Sequence, residues 1–323
     1  MVFSFCRLLN NHGIKLCVLV LVAMQLLLWQ RRTVNNRAYR DIIRKTWAAN
    51  AKQLQVRVEF VVGQPHVDLA VVHANAAKHA DFVELEDEHR QFDDLLQLNI
   101  MEHQPKREHL ILKWWGSMEY YATRCQNVEY MASVDEDTVL FLDRMMSYIN
   151  KHQSVITGMI KVCATFFANN STPVFRSPTN KYYVSDEQWP LAKFGEYCSG
   201  NFQMVTPQSA SAISATIPTL GVDYITSFRV RDIVTGIVDE IAGVTKMGSM
   251  GYPKRRLPAP FNIWAYLPYK DACDPGYMGQ HGMRPMSRMS YVWRLKNKCC
   301  AEPNSVQGVC HEHATVTRVP PQE

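Results

Sequence analysis

Tyr130-Met-Ala-Ser-Val-Asp-Glu-Asp137 is the stretch on which the fold is decided. Its first five residues, Tyr130 to Val134, are apolar or small and read as a buried strand. The strand runs into three adjacent carboxylates, Asp135, Glu136 and Asp137. Such neighbours repel one another and call for a counter-charge. A divalent cation supplies it best, because hard oxygen ligands suit Mn²⁺ and Mg²⁺. The same cation can neutralise a diphosphate, which points to enzymes that use activated phosphate donors. Taken alone, the triplet fits a solvated turn or the start of a helix better than a metal site.

The neighbouring segments give it a setting. Upstream, Val56-Arg-Val-Glu-Phe-Val-Val62 alternates and then runs apolar into Gly63, as a strand entering a buried sheet does. Tyr39 to Trp47 reads as a short helix. His109 to Arg124 reads as an amphipathic helix with Leu110, Trp114, Met118 and Tyr121 on one side. Downstream, Thr138-Val-Leu-Phe-Leu142 leads into a helix that lasts through Ile149. Lys181-Tyr-Tyr-Val184 is a short strand candidate, and Phe202-Gln-Met-Val205 resumes an apolar pattern. Asp232-Ile-Val-Thr-Gly236 opens a further helix that ends at Gly243. Strands alternating with helices predict an α/β sheet covered on both faces. Ligands bind such sheets beyond the carboxyl ends of strands, where the triplet lies.

The composition, 47% hydrophobic and 20% charged, allows a large core. The net charge of +5 comes without a long Lys/Arg run, which argues against a nucleic-acid partner. Leu16 to Trp29 is almost unbroken apolar sequence, bracketed by Arg7 and Lys15 ahead and Arg31 and Arg32 behind. It reads as a short signal anchor or a cleaved signal peptide; no small-x-small cleavage site follows it, which favours the anchor, although the arginines after it run against the positive-inside tendency. A lumenal body would let Cys125, Cys163, Cys198, Cys273, Cys299, Cys300 and Cys310 form disulfides. Their odd number leaves at least one as a thiol or in a bond between chains, so a homo- or heterodimer stays open. Asn169-Asn-Ser-Thr172 holds two overlapping glycosylation sequons, on Asn169 and Asn170, in a polar stretch with loop character.

In order along the chain, these pieces resemble glycosyltransferase family 31, the β1,3-galactosyl- and β1,3-N-acetylglucosaminyltransferases of the secretory pathway. Arg40-Asp-Ile-Ile-Arg-Lys-Thr-Trp47 is similar to the family's opening R-x-x-I-R-x-T-W, and Phe60-Val-Val-Gly63 to its F-x-x-G strand. Asp94-Leu-Leu-Gln97 and His109-Leu-Ile-Leu-Lys113 resemble its next two segments. Asp135-Glu-Asp137 falls at the metal-binding acidic triplet. Trp189-Pro190, Tyr197-Cys-Ser-Gly200 and Val230-Arg-Asp-Ile-Val-Thr-Gly236 resemble later motifs, and His281 precedes Pro285 and Met286 as the family's late histidine does.

The resemblance implies a GT-A-type nucleotide-sugar-binding fold, with a mixed central sheet, helices on both faces and a single lumenal domain. It implies a cytoplasmic tail at 1–13, the anchor at 14–30, a short stem at 31–39, the transferase domain at 40–295 and a C-terminal tail at 296–323. The expected protein is a single-pass type II protein of the Golgi membrane. The expected activity is inverting transfer of galactose or N-acetylglucosamine from the UDP-sugar to a glycan of a glycoprotein or glycolipid, in β1,3 linkage. Asp135, Glu136 and Asp137 would hold the nucleotide. Asp137, Asp135 and His281 would ligate Mn²⁺, and Asp232 would act as general base. Arg44, Trp189, Tyr197 and Gly200 would touch substrate.

Each assignment has an ordinary counterpart. Asp232 also suits a helix N-cap, His281 a surface position, and Trp189 and Tyr197 a core. Arg231, beside the expected base, stands where the family usually carries a second acid. A cation there lowers the pKa of Asp232 and makes it a poorer base. That departure keeps a catalytically inactive, glycan-binding or partner protein as the alternative.

Overall fold

A computed structural model describes residues 16–21, 37–65, 76–102, 108–125, 127–250, 255–256, 262–265, 272 and 276–301. Its centre is the strand that carries the acidic triplet. β4 (Tyr130–Asp135) is buried along its length up to Asp135. Its side chains alternate between two cores: Tyr130, Ala132 and Val134 join one, and Met131 joins the other. Burial on both faces explains why the segment shows no polar alternation.

The first core is covered by α1 (Arg37–Lys45), α4 (Leu142–His152) and α8 (Ser287–Ala301), through Ile43, Met145, Ile149, Met289 and Val292. The second is covered by α3 (Glu108–Arg124), α5 (Pro207–Leu220) and α7 (Arg231–Ile241), through Trp114, Met118, Ile213 and Val234. All four residues expected on the apolar side of α3 are buried. Helices on both faces of the sheet follow from this division.

Three parallel strands extend the sheet on one side of β4, namely β1 (Leu16–Leu21), β2 (Val56–Pro65) and β3 (Leu95–Glu102). On the other side β8 (Phe202–Val205) runs antiparallel to β4. Beyond it lie β6 (Ile160–Phe167), β9 (Thr245–Met250) and β10 (Arg255–Arg256). β7 (Tyr197–Cys198) pairs with the end of β6. The sheet is therefore mixed, as expected.

Of the apolar run expected to anchor the chain at 14–30, residues 16–21 are described. Leu16–Leu21 lies inside the sheet, parallel to β2 and β4, with Leu21 opposite both Val61 and Asp135. An interior parallel strand is as continuously apolar as a membrane segment, and periodicity alone does not separate them. In this structure Leu16–Leu21 is paired on both edges, with β2 and with β4. Among the described residues no helix is long and apolar enough to cross a membrane. The expected tail at 1–13, residues 22–36 of the anchor and stem, Cys273 and Cys310 lie outside the described residues.

Smaller corrections follow. Lys181-Tyr-Tyr-Val184 forms turns, not a strand, with the Asn180 side chain accepting from the Tyr182 amide. α8 crosses the domain limit expected at 295, and Lys296 donates to Asp143 at 2.7 Å, which ties this helix to α4. A helix absent from the sequence reading, α2 (Ala76–Phe92), brings Glu88 onto Arg40 of α1 in a buried ion pair.

A second, three-stranded sheet positions the site. β5 (Thr138–Leu140), directly after the triplet, pairs antiparallel with β12 (Tyr277–His281), which also pairs with β11 (Asn262–Ala265). The register sets His281 opposite Thr138 and Gly279 opposite Leu140. A Cβ on Gly279 would lie 2.4 Å from the Val139 carbonyl oxygen, so glycine lets the strands approach. This pairing carries His281 back to the triplet across more than a hundred residues of chain.

Candidate active site

Asp135, Asp137 and His281 present one donor atom each within 4.8 Å of one another. His281 Nε2 lies 3.1 Å from Asp137 Oδ1 and 3.5 Å from Asp135 Oδ2. Burial works against a charged imidazole here. The hydrogen bonds and charges of the two aspartates outweigh it and push the His281 pKa up to about 10. Two carboxylates thus hold a cation between them even when only a proton is on offer. Carboxylate oxygens and an imidazole nitrogen are donors that Mn²⁺ accepts, so the residues fit such an ion.

Arg284, three residues past His281, completes the far side of the cluster. Its Nε donates to Asp137 Oδ2 at 3.0 Å, and its Nη2 lies 3.6 Å from Glu136 Oε1. Asp137 is held below the usual carboxylate range: burial pushes it up, but His281 and Arg284 together pull it further down. Glu136 is only 2% exposed and meets Arg284 without joining the three converging donors, which fits an indirect role. Sequence reasoning missed Arg284; a cation inside the His281–Pro285 motif was the available signal.

The other half of the site comes from α7 and the turn after β7. Asp232 lies in the first turn of α7 and is not its N-cap; that position is Val230, which makes no side-chain cap bond. The Asp232 carboxylate instead accepts from the Gly200 amide at 2.9 Å. Arg231 Nη2 donates to the Gly200 carbonyl at 2.9 Å and to Asp135 Oδ1 at 3.3 Å. Its Nε lies 3.7 Å from Asp232 Oδ1. Consecutive residues of α7 therefore clasp one glycine by both polar groups, and Arg231 links that clasp to the acidic triplet.

A Cβ on Gly200 would fall 2.0 Å from Arg231 Nη2 and 2.4 Å from Asp232 Oδ1, so no other residue fits without displacing one of them. Gly236, one turn along α7, has the same meaning: a Cβ there would meet the Glu196 carbonyl and Tyr197 Cβ, both at 2.6 Å. The disulfide Cys163–Cys198 anchors the turn from the other side.

The expectation that Arg231 depresses Asp232 holds only in part. Partial burial raises the Asp232 pKa, and neither Arg231 nor the Gly200 amide fully offsets it, although the side chain keeps 30% exposure. The net shift is upward, in the direction a general base needs.

Arg44, expected to touch substrate, is held by side chains of its own chain. Its guanidinium donates to Asp94, Asp41 and Glu88 and lies over the Phe60 and Phe92 rings. These intrachain partners engage all three of its nitrogens. Tyr197 stacks on Phe167 at 4.6 Å, meets Phe194 edge-on and donates its hydroxyl to Thr172. Trp189 donates its indole N–H to the Lys193 carbonyl and packs against Phe194. Both aromatics belong to the packing around the site loop. Asn169 and Asn170 are exposed, on a turn beside β6.

Residues 38–247 match the family described as Galactosyltransferase. Lactosylceramide 1,3-N-acetyl-beta-D-glucosaminyltransferase A of Xenopus laevis is 26% identical over 302 residues, which cover 90% of this chain and 70% of that protein. Beta-1,3-galactosyltransferase GALT1 of Arabidopsis thaliana is 24% identical, over 84% of this chain and 38% of its own length. N-acetyllactosaminide beta-1,3-N-acetylglucosaminyltransferase 3 of Homo sapiens is 24% identical, over 73% and 58%. The chain spans from about half to seven-tenths of the length of the first relatives it matches.

Proposed function

Because the chain belongs to the galactosyltransferase family, glycosyltransferase family 31, we propose that it is an inverting β1,3-glycosyltransferase. Its donor is UDP-galactose or UDP-N-acetylglucosamine, since relatives named for either sugar match it at similar identity. Its acceptor is a glycan hydroxyl on a glycoprotein or glycolipid. The carrying observation is the convergence of Asp135, Asp137 and His281, with Arg231 linking this cluster to Asp232.

Asp137, Asp135 and His281 would hold Mn²⁺, which when bound supplies Lewis-acid stabilisation of the charge growing on the departing diphosphate. Arg284 fixes Asp137 through its second oxygen, so this ligand is oriented before the nucleotide arrives. Asp232 accepts the proton of the attacking hydroxyl. The Gly200 amide holds one Asp232 oxygen, which leaves the other, Oδ1, to face the acceptor or Arg231. Gly200 thus acts by positioning the base and not through a side chain.

We assign the protein to the lumen of the secretory pathway, with the Golgi membrane as its expected site. The Cys163–Cys198 disulfide and the exposed sequons at Asn169 and Asn170 support an oxidising, glycosylating compartment. Membrane attachment would need a segment other than Leu16–Leu21. Release of UDP from a panel of UDP-sugars, with Mn²⁺ and a glycan acceptor array, tests the reading. Transfer of galactose or N-acetylglucosamine is expected. UDP binding without turnover on any acceptor would favour the inactive, glycan-binding alternative.

A further inference from the structure

Arg231 is the charged residue whose place in the site the proposed chemistry does not require. It opens α7, its side chain is only 10% exposed, and it reaches Asp135 Oδ1 at 3.3 Å while Asp135 Oδ2 faces His281. Its Nη2 also serves Gly200, yet its Nη1 is buried with no hydrogen-bond partner among the described residues. A buried guanidinium with an unanswered donor is costly, and an anion brought to the site relieves that cost.

The local charge shows what this does. Asp135, Glu136, Asp137 and Asp232 face Arg231 and Arg284, so four carboxylates meet two guanidiniums and leave −2 when His281 is neutral. One divalent cation balances that sum. Without Arg231 the sum is −3, and the cluster would draw a cation more strongly while offering an arriving diphosphate less positive charge. We infer that Arg231 is a resident cation of the diphosphate subsite, sharing the counter-charge with the divalent ion. The inference rests on the proposed nucleotide-sugar reading.

Two consequences of opposite sign separate this role from a merely structural one. Arg231 competes with the divalent ion for Asp135, so removing its charge tightens metal binding. It also attracts the diphosphate directly, so nucleotide binding survives chelation of the metal. A fold-only role, holding Gly200, would give neither a gain in metal affinity nor a dependence on charge alone.

The test uses the full chain as wild type, Arg231→Gln and Arg231→Lys. Mn²⁺ binding is followed by electron paramagnetic resonance, and UDP binding by calorimetry with Mn²⁺ or with EDTA. A unit charge this close to the ligands predicts Mn²⁺ affinity about tenfold higher in R231Q and UDP affinity under EDTA about tenfold lower, with R231K near wild type in both. A misfolded variant does not gain metal affinity, so the first readout guards against that outcome. Mn²⁺ binding by R231Q equal to or weaker than wild type, or UDP binding under EDTA that is absent in wild type or unchanged in R231Q, overturns the inference alone. Wild-type protein that binds no UDP even with Mn²⁺ overturns the functional reading and this inference with it.

Discussion

The Gly200 amide donates to Asp232 Oδ2 at 2.9 Å, which fixes the proposed base of α7 against the turn that follows β7. The bond exists because residue 200 has no side chain; a Cβ would collide with both Arg231 and Asp232. Gly200→Ala should therefore move the base without removing it. Transfer is expected to fall on the order of 100-fold, the usual cost of a shift of about 1 Å at a catalytic group. Mn²⁺ binding should be retained or tightened, because the same Cβ pushes Arg231 Nη2 away from Asp135. Steady-state kinetics and a metal titration on one preparation check this, and a variant of full activity would contradict it.

The imidazole between Asp135 and Asp137 gives the metal affinity a pH dependence. His281 has a folded pKa of about 10, above its ordinary value of 6.5. Its protonated form therefore stabilises the metal-free protein fully below pH 6.5, and that contribution is lost as pH rises towards 10. Asp135, Asp137, Arg284 and Arg231 are the charged groups around it, and a metal ion must displace its proton. Mn²⁺ affinity should rise between pH 6.5 and about 10, by up to tenfold per unit, with about one proton released per ion. Calorimetry in buffers of different ionisation heat measures that proton. No release would remove His281 from the ligand set.

The disulfide closes a sequence separation of 35 residues and ends at Cys198, two residues before Gly200. Constraint of the unfolded chain predicts a loss of about 2–4 kcal/mol in Cys198→Ser. Because the bond anchors the base-holding turn, activity under reductant should fall before the protein unfolds globally. Urea unfolding and activity measured across a reductant series test both. Coincident loss of the two signals would mean that the turn is held by other contacts.

Much of this architecture was legible in the sequence. The strand before the triplet, the α3 helix and the opening helix at Arg37–Lys45 follow from apolar spacing, and β2 and β8 from short apolar runs. The exception was Leu16–Leu21, where an unbroken apolar run carries no sign of the neighbours that pair with it. The ligand set of Asp135, Asp137 and His281 was reachable only through motif order, because β5–β12 pairing is a long-range contact with no local trace. The partners of Arg44 left no local trace for a related reason: Glu88 of α2 and Asp94, just before β3, lie 44 and 50 residues away in sequence. The clasp on Gly200 showed only as a glycine and an adjacent Arg–Asp pair.

Behind the site, Lys161 and Asp239 form an ion pair 2.5 Å apart with both side chains fully buried, and Lys161 also lies 5.3 Å from the Trp114 ring. Burial pushes the Lys161 pKa down and the Asp239 pKa up, so the pair persists on attraction between opposite charges, with Lys246 also drawing Asp239. Removing one partner strands the other. Asp239→Asn should cost about 3–5 kcal/mol, whereas the double change Lys161→Met with Asp239→Leu should be close to neutral. Chemical denaturation of the single and double variants tests this. Equal destabilisation in both would show that packing, not uncompensated charge, is what the site loses.

The central claim is that Asp137 joins a metal ion to nucleotide-sugar transfer. The most direct measurement is Mn²⁺-dependent release of UDP from UDP-galactose and UDP-N-acetylglucosamine, with glycan acceptor, by wild type and Asp137→Ala. The account predicts turnover by wild type that EDTA abolishes and Mn²⁺ restores, and a loss of at least about 100-fold in D137A at a temperature where circular dichroism shows both proteins folded. Equal turnover by the two proteins, or wild-type turnover indifferent to chelation, would contradict it.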